Sequence, residues 1–296
     1  WEAAGHPAEG LDQFVLRHLG FFNVEPASPG YMMRLRCPAN ILRGDQMIEL
    51  GNIAEDLAGG YAHVTTRGSL QLREIQPGRI IPIVERLQEV GLTAQGTGAD
   101  SARNLTCSPI AGVDPVELID MRPFAKRLSL RILRTKALQG IPRKFNISFD
   151  GGGRISCVSD TNDICFQAVT IGENDAGVSP GIWCRIALGG ITGHKDFARD
   201  TGRLCRPEET VDVGEAMLRV FVEHGDRTNR GKARLKYLLD REGHAWFCDR
   251  TAEVLDSFGS GVTLCPLGVE HDAPRAPIDR QAHIGVSPQR QPGLNF

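Results

Sequence analysis

The segment from residue 31 to residue 90 alternates between strand-like and helix-like patterns, and this order limits the folds open to the chain. Apolar residues three and four positions apart predict helices over 45–57 and 81–90, and glycine follows each of them. Short runs typical of strands lie at 31–36, 61–66 and 69–75, the last two joined as a hairpin around Arg67-Gly68. A strand, a helix, a hairpin and a second helix predict an α+β unit of about 70 residues.

A second α+β region is predicted after a linker at residues 95–100. Asp can cap a helix and Pro suits its first turn, so Asp114-Pro115 predicts a helix over 116–138, with a break allowed at Pro123. The other predicted helices are 211–224, 232–240 and 244–258, and the predicted strands are 144–149, 155–159, 164–171 and 182–188.

The chain is therefore expected to have four parts. They are an irregular arm at 1–28 with one short helix over 11–19, a half-domain at 29–100, an α+β domain at 101–265, and a linker at 266–296 that opens a further element.

The overall charge and the cysteine pattern exclude several classes of protein. The 296 residues carry 34 Lys and Arg against 36 Asp and Glu, a net charge of −2, whereas general binders of nucleic acid or membrane surfaces are basic. No apolar run reaches the roughly 20 residues of a membrane span, so neither a membrane nor a nucleic acid is expected as a partner. The eight cysteines lack Cys-x-x-Cys and zinc-finger spacings, which favours free thiols in a reducing compartment over disulfides and predicts no metal ligands.

Four clusters of polar residues lie at predicted strand ends or in loops, where binding sites are usually built. They are 34–36, 65–71, 101–107 and 141–148. In a strand, residues two positions apart share a face, so Arg34 and Arg36 should point the same way, and Lys144 and Asn146 should lie opposite Phe145. Each cluster alone is equally consistent with an ordinary strand end or turn. Together they concentrate cations in a chain of negative net charge, which favours a site for a polyanionic ligand.

At these clusters the chain resembles the N-terminal half of the siroheme-dependent assimilatory nitrite and sulfite reductases. The resemblance runs from about residue 10 to residue 296. The matching segments are Tyr-Met-Met-Arg-Leu-Arg-Cys-Pro at 31–38, His-Val-Thr-Thr-Arg-Gly-Ser-Leu-Gln-Leu-Arg at 63–73, Ala-Arg-Asn-Leu-Thr at 102–106, Ile-Pro-Arg-Lys-Phe-Asn at 141–146 and Gly-Asp-Arg-Thr-Asn-Arg-Gly-Lys-Ala-Arg-Leu-Lys-Tyr at 225–237.

The resemblance implies a fold, a reaction and a set of site residues. The fold would be a ferredoxin-like half-domain followed by an α+β domain that binds siroheme and substrate. The reaction would be the six-electron reduction of nitrite to ammonia, or of sulfite to sulfide, at siroheme coupled to a 4Fe-4S cluster. The implied catalytic residues are Arg36, Arg103, Lys144 and Asn146. The implied siroheme contacts are Thr65, Thr66, Arg67, Gln71, Asn104 and Arg143.

Two positions bear on which anion the resemblance implies. Sulfite reductases of the family typically carry Lys at the position of Asn146 and Arg at that of His63, and plant-type nitrite reductases carry Asn at the first. Sulfite near neutral pH is partly a dianion and nitrite is a monoanion, so one fixed cation fewer favours nitrite, at ~4 kcal/mol per charge pair near 4 Å and intermediate dielectric. A ferredoxin-dependent nitrite reductase is therefore expected. The alternatives are a sulfite reductase and a non-catalytic half-length protein that binds a tetrapyrrole.

The cysteines depart from the family pattern. The family holds its cluster with Cys-x5-Cys and Cys-x3-Cys in the C-terminal half, and none of the eight cysteines here has either spacing. The chain begins with Trp1, and residues 283–295 resemble the start of that second half, so a fragment that is inactive alone is expected. The implied electron donor is ferredoxin, and the implied state is a monomer in the cytoplasm, or in a plastid if the source is eukaryotic.

Overall fold

A computed structural model describes residues 9–24, 26, 30–98, 100–172, 178–191, 193 and 196–266. The chain forms two compact units, divided between Asn104 and Leu105. The first unit contains a four-stranded sheet, and most of a six-stranded sheet belongs to the second. The α+β class predicted for both regions is therefore confirmed.

The first unit is an antiparallel sheet with the strand order β1-β2-β4-β3. Its strands are β1 (Phe21–Asn23), β2 (Tyr31–Arg34), β3 (Ala62–Val64) and β4 (Leu70–Ile75), and its helices are α1 (Gly10–His18), α2 (Gly44–Leu57) and α3 (Ile80–Glu89). Strands β3 and β4 form the predicted hairpin, with Val64 opposite Leu70. The three helices agree with their predicted bounds to within one residue at almost every end.

The core of the first unit lies between the sheet and the apolar faces of its helices. Ile53 of α2 and Leu87 of α3 pack in one cluster with Met33 of β2 and Leu72 of β4. All four side chains are at most 1% exposed. The opposite face of each strand carries the alternate residues, so the polar residues of β2 and β4 lie on the face away from this cluster.

The second unit is a mixed sheet with the strand order β10-β9-β8-β7-β6-β5. Strands β6 and β7 are parallel, and β7 to β10 are joined by antiparallel pairs. The strands are β5 (Ala102–Cys107), β6 (Phe145–Asp150), β7 (Ile164–Ile171), β8 (Gly181–Leu188), β9 (Arg199–Cys205) and β10 (Cys265–Pro266). The helices are α4 (Arg122–Arg134), α5 (Thr210–His224), α6 (Leu235–Glu242) and α7 (His244–Ser257).

Strand β6 lies deep in the second unit, and every one of its residues is buried. Phe145 packs against Phe221 of α5 with ring centroids 5.0 Å apart, and Phe149 packs against Phe166 of β7 at 5.1 Å. A parallel strand covered on both faces is expected to be rigid, because its neighbours leave little free volume. The residues at the start of β6 are therefore attached to a rigid strand.

The helix predicted over 116–138 is wrong in its extent. Helix α4 begins at Arg122 and ends at Arg134, and Pro123 lies in its first turn instead of interrupting it. Proline lacks the N–H that an interior turn needs, whereas the first turn leaves that group unbonded in any case. Asp120 also marks this start, because its carboxylate accepts from the main-chain N–H of Arg122 at 3.0 Å.

The strand predicted over 155–159 is absent from the described structure. Val158 has a left-handed backbone with φ of 53°, and Ser156 and Ser159 donate their hydroxyls to the carboxylate of Asp150. These bonds draw the segment into a loop over the end of β6. Conversely, β1, β5 and β9 were not predicted, because their sequences mix polar and apolar residues without a clear period.

No helix among the described residues is long and apolar enough to cross a membrane. The predicted opening of a further element at 266–296 lies outside the described residues from 267 onward, as do residues 1–8 of the predicted arm.

Candidate functional site

Arg36 is buried within the first unit and only 3% exposed. Strand β2 ends at Arg34, and the Arg36 guanidinium beyond it binds main-chain carbonyls, donating from Nε to Gln95 at 3.2 Å and from Nη2 to Gly96 at 2.6 Å and Ala102 at 3.0 Å. Burial lowers the pKa of Arg36 from its ordinary value to about 10, so the group stays protonated at pH 7. Arg36 is thus more deeply buried than Arg34, which is half-buried at the end of β2.

Two predicted site residues, Asn104 and Thr65, form hydrogen bonds that hold the turn between β3 and β4. The Asn104 amide accepts from the main-chain N–H of Cys37 at 2.9 Å and donates to the carbonyl of Arg67 at 2.9 Å. The Thr65 hydroxyl accepts from the main-chain N–H of Arg67 at 3.3 Å and from that of Ser69 at 3.2 Å. Both side chains thus build the turn that carries Arg67.

The polar face of the first sheet carries two arginines that the sequence predictions did not include as site residues. Gln71 lies directly opposite Arg34, and its amide oxygen, turned toward that residue, accepts from Nε at 3.2 Å and Nη2 at 3.3 Å. Arg73 follows on the same face of β4. Burial, and then the charge of Arg73, lower the pKa of Arg34. The two-residue spacing of Gln71 and Arg73 in a strand was the sequence signal that both lie on this face.

The remaining predicted residues of the first unit are accessible to different degrees. Thr66 is exposed at the tip of the turn, and Arg67 beside it is half-buried. Arg103 is half-buried in β5. Thr66 and Arg67 thus lie together in one turn, and Gln71 is the second residue of the strand that follows it.

In the second unit, the start of β6 brings together the other predicted site residues. Lys144 is exposed, Phe145 is fully buried, and Asn146 is 7% exposed. Arg143 is half-buried just before them. The start of β6 therefore carries one surface cation next to one buried neutral amide.

Sequence reasoning missed a buried ion pair that contacts Asn146. The Asp163 carboxylate, 0% exposed, accepts from the main-chain N–H of Asn146 at 2.8 Å, and the Asp163 N–H donates back to the Asn146 carbonyl at 2.9 Å. Arg234, 8% exposed, binds the same carboxylate through Nε at 3.2 Å and Nη2 at 2.7 Å. An Asp directly before a buried strand was a signal, but its partner lies 71 residues away and could not be identified.

The described residues contain no group of three or more His, Cys, Asp and Glu that could hold a metal ion. All eight cysteines are free thiols, as predicted, and burial raises the pKa of Cys37 and of Cys248 to about 11, which keeps both protonated. The described residues therefore offer no ligand set for an iron–sulfur cluster. The guanidinium, ammonium and hydroxyl groups of the predicted site are donors that fit a ligand bearing carboxylates.

Two family models match successive parts of the chain. The model described as "Nitrite/Sulfite reductase ferredoxin-like half domain" matches residues 25–90. The model described as "Nitrite and sulphite reductase 4Fe-4S domain" matches residues 98–257, more than half of the chain. The predicted order, a ferredoxin-like half-domain before a second α+β region, is confirmed.

Similar curated proteins are nitrite reductases. Ferredoxin–nitrite reductase of Synechococcus elongatus is 33% identical over 307 residues, which covers 100% of this chain and 56% of the relative. Assimilatory ferredoxin-dependent nitrite reductase of Haloferax mediterranei is 32% identical over 267 residues, covering 84% of this chain and 45% of the relative. The chain spans about half the length of the curated relatives that it matches.

Solved structures share the fold. The Mycobacterium tuberculosis NirA protein superposes with a TM-score of 0.74 and 24% identity, covering 88% of this chain and 49% of that one. Dissimilatory sulfite reductase I gives a TM-score of 0.59 and 13% identity, covering 75% of this chain and 68% of that one. At these identities the two structures establish the architecture and nothing about substrate.

Proposed function

The chain belongs to the nitrite and sulphite reductase family, which is enzymatic, and we propose that it serves a ferredoxin-dependent nitrite reductase as its siroheme- and anion-binding portion. The reaction is the six-electron reduction of nitrite to ammonia. Siroheme supplies the redox chemistry when bound, fed by a 4Fe-4S cluster, and the protein contributes orientation and charge. The similarity to ferredoxin–nitrite reductases supports this choice within the family.

The observation that carries the choice of nitrite is the pair of side chains at the start of β6. Lys144 is exposed and cationic, and Asn146 is nearly buried and neutral. Each fixed cation in a site attracts a dianion about twice as strongly as a monoanion, so a neutral amide in place of a cation weakens the binding of a dianion more. A single cation beside a neutral amide therefore favours nitrite over sulfite.

We assign roles to the site residues by the chemistry of their side chains. Arg36, Arg103, Lys144 and Asn146 bind the anion and supply hydrogen bonds to its oxygens. Siroheme carboxylates are held by a second group, which comprises Thr65, Thr66, Arg67, Gln71, Asn104 and Arg143. The side chains of Asn104 and Thr65 also hold the turn that carries Arg67, so their part in binding is to fix that guanidinium.

Replacing Asn146 by Lys tests the nitrite assignment in the holoenzyme. Asn146→Lys adds a second cation and should raise the ratio of sulfite to nitrite turnover by about tenfold or more, since an extra close charge pair acts mainly on the dianion. Steady-state assays with both anions measure the ratio. Gln139→Lys adds the same charge at an exposed position before β6 and serves as the control. An equal ratio in Asn146→Lys, Gln139→Lys and the parent would contradict the assignment.

Ferredoxin is the proposed electron donor, because both nitrite reductase relatives are named for ferredoxin. We further propose a monomer in the cytoplasm, or in a plastid if the source is eukaryotic, as the maize relative is chloroplastic. Light scattering of the purified protein measures its mass, and a dimer in solution would contradict the monomer. Turnover with reduced ferredoxin but not with NAD(P)H is the expected donor result.

A further inference from the structure

The first peptide of β6 is held by a buried carboxylate and not only by the sheet. The Asp163 side chain binds the N–H of Asn146, and its main-chain N–H binds the Asn146 carbonyl. This closed pair of hydrogen bonds fixes both sides of one residue. Lys144 and Asn146 flank the Phe145 peptide, so the directions of their side chains follow from the orientation that Asp163 imposes.

Arg234 holds the Asp163 carboxylate in this position. A carboxylate that is 0% exposed needs a charged partner, since burial without one is strongly unfavourable. Arg234 supplies two N–H groups to the two carboxylate oxygens in a side-on pair, which fixes the plane of the carboxylate as well as its charge. One oxygen of that plane is the acceptor for Asn146.

Neighbouring loops pack closely against the main chain around Asp163. The N–H of Gly189, at the end of β8, donates to the Asp163 carbonyl at 2.9 Å. A Cβ at Gly190 would lie 2.4 Å from the carbonyl oxygen of Asp160 and 2.6 Å from that of Asn162, so the chain packs against these carbonyls without room for a side chain. The main chain around Asp163 is thus fixed, and the side chain is oriented by Arg234.

The far end of β6 is secured independently. Asp150 is also 0% exposed, and its carboxylate accepts from the Ser156 hydroxyl at 2.7 Å and the Gly152 N–H at 3.0 Å. None of these contacts involves Arg234. A weaker Arg234 contact should therefore loosen the first peptide of the strand and leave its other end in place.

We propose that Arg234, acting through Asp163, is a positioning residue for the anion site at the start of β6. The inference rests on the proposed function, which places Lys144 and Asn146 in that site. Arg234 touches neither the substrate nor the cofactor in this scheme. Its role is to hold the peptide from which both side chains are aimed, because displacement of a binding group by about 1 Å is enough to cost a large part of a rate.

Hydrogen exchange of the 296-residue chain tests the structural half of the proposal. Arg234→Lys keeps the charge and removes the side-on geometry, so the amide of Asn146 should exchange about tenfold faster, while amides at the far end of β6 stay protected. Arg219→Lys is the matched control, since Arg219 also binds a carboxylate, that of Glu215, through Nε and Nη2 at 3.0 and 2.7 Å. Unchanged exchange at Asn146, or an equal rise throughout the second unit, would overturn the role of Arg234.

A second variant and a kinetic readout separate this inference from the proposed function. Asp163→Asn should give the same local rise in exchange, because the neutral amide no longer pairs with Arg234. In the holoenzyme with unchanged siroheme absorbance, Arg234→Lys should lower kcat/KM for nitrite by about tenfold, with Arg219→Lys unaffected. Faster exchange at Asn146 with unchanged nitrite kinetics would overturn the placement of the anion site at β6, and the exchange result would stand.

Discussion

Each unit buries an arginine at the predicted site, and the contacts of the two guanidinium groups differ. Arg36 in the first unit donates hydrogen bonds to three main-chain carbonyl oxygens, which are neutral dipoles. Arg234 in the second unit is bound by the Asp163 carboxylate, so the pair is neutral overall. The comparison shows that a buried guanidinium can bind main-chain dipoles or a carboxylate. In the second case it also orients the carboxylate that it binds.

The same contrast appears in the other polar residues of each unit. The first unit adds three half-buried cations, Arg34, Arg67 and Arg73, at its turn and on its polar sheet face. The second unit exposes Lys144 beside a neutral Asn146. A ligand with many carboxylates suits the first pattern, and a small monoanion suits the second.

The largest expected effect comes from removing the ion pair between Arg234 and Asp163 in the second unit. Arg234→Leu removes the opposite charge and the two hydrogen bonds that the buried Asp163 carboxylate receives from this guanidinium, which should lower the free energy of unfolding by ~3–5 kcal/mol. Denaturant unfolding followed by the fluorescence of Trp183, which lies in β8 and is 5% exposed, measures the loss. A loss no larger than that of an exposed pair such as Arg250→Leu would show that the carboxylate is not charged in the folded state.

Removing the other buried arginine should cost less. Arg36→Leu removes the donor from three carbonyl oxygens, so we expect a loss of ~1–3 kcal/mol in the first unit. Hydrogen exchange of β2 and β4 in the whole chain measures it. The comparison between the units fails if Arg36→Leu destabilises its unit as much as Arg234→Leu destabilises the other.

The smallest expected effect is a pH dependence confined to the second unit. Burial lowers the pKa of His244, at the start of α7, below its ordinary value of 6.5. The folded state then binds fewer protons than the unfolded state once the pH falls below about 6.5, so stability should decline with falling pH in that range. His244→Gln removes this contribution and should flatten the decline between neutral and mildly acidic pH in denaturant titrations. Parallel curves for the variant and the parent would contradict the prediction.

Local patterns were sufficient for much of the fold. Helices α2, α3, α5 and α7 and strand β7 carry strong periods and ended close to where the sequence placed them. Pro123 was misread because proline can either start or break a helix, and only the Asp120 contact with the Arg122 N–H decides which. The short strand β1 and the polar strand β9 show no hydrophobic period. They are strands because they pair with neighbouring strands, and not because of the local preferences of their residues.

The sequence by itself determined the family, the α+β class, the free thiols and the residue types at the start of β6, because these depend on local order and on the motifs quoted from the chain. Only the tertiary structure decided how those residues are held. Arg36 donates to the carbonyl of Gly96, 60 residues away in the chain. Asp163 pairs with Arg234, which lies 71 residues away. Such pairs depend on which distant segments the folded chain brings together, and the spacing of residues in the sequence does not indicate which segments these are.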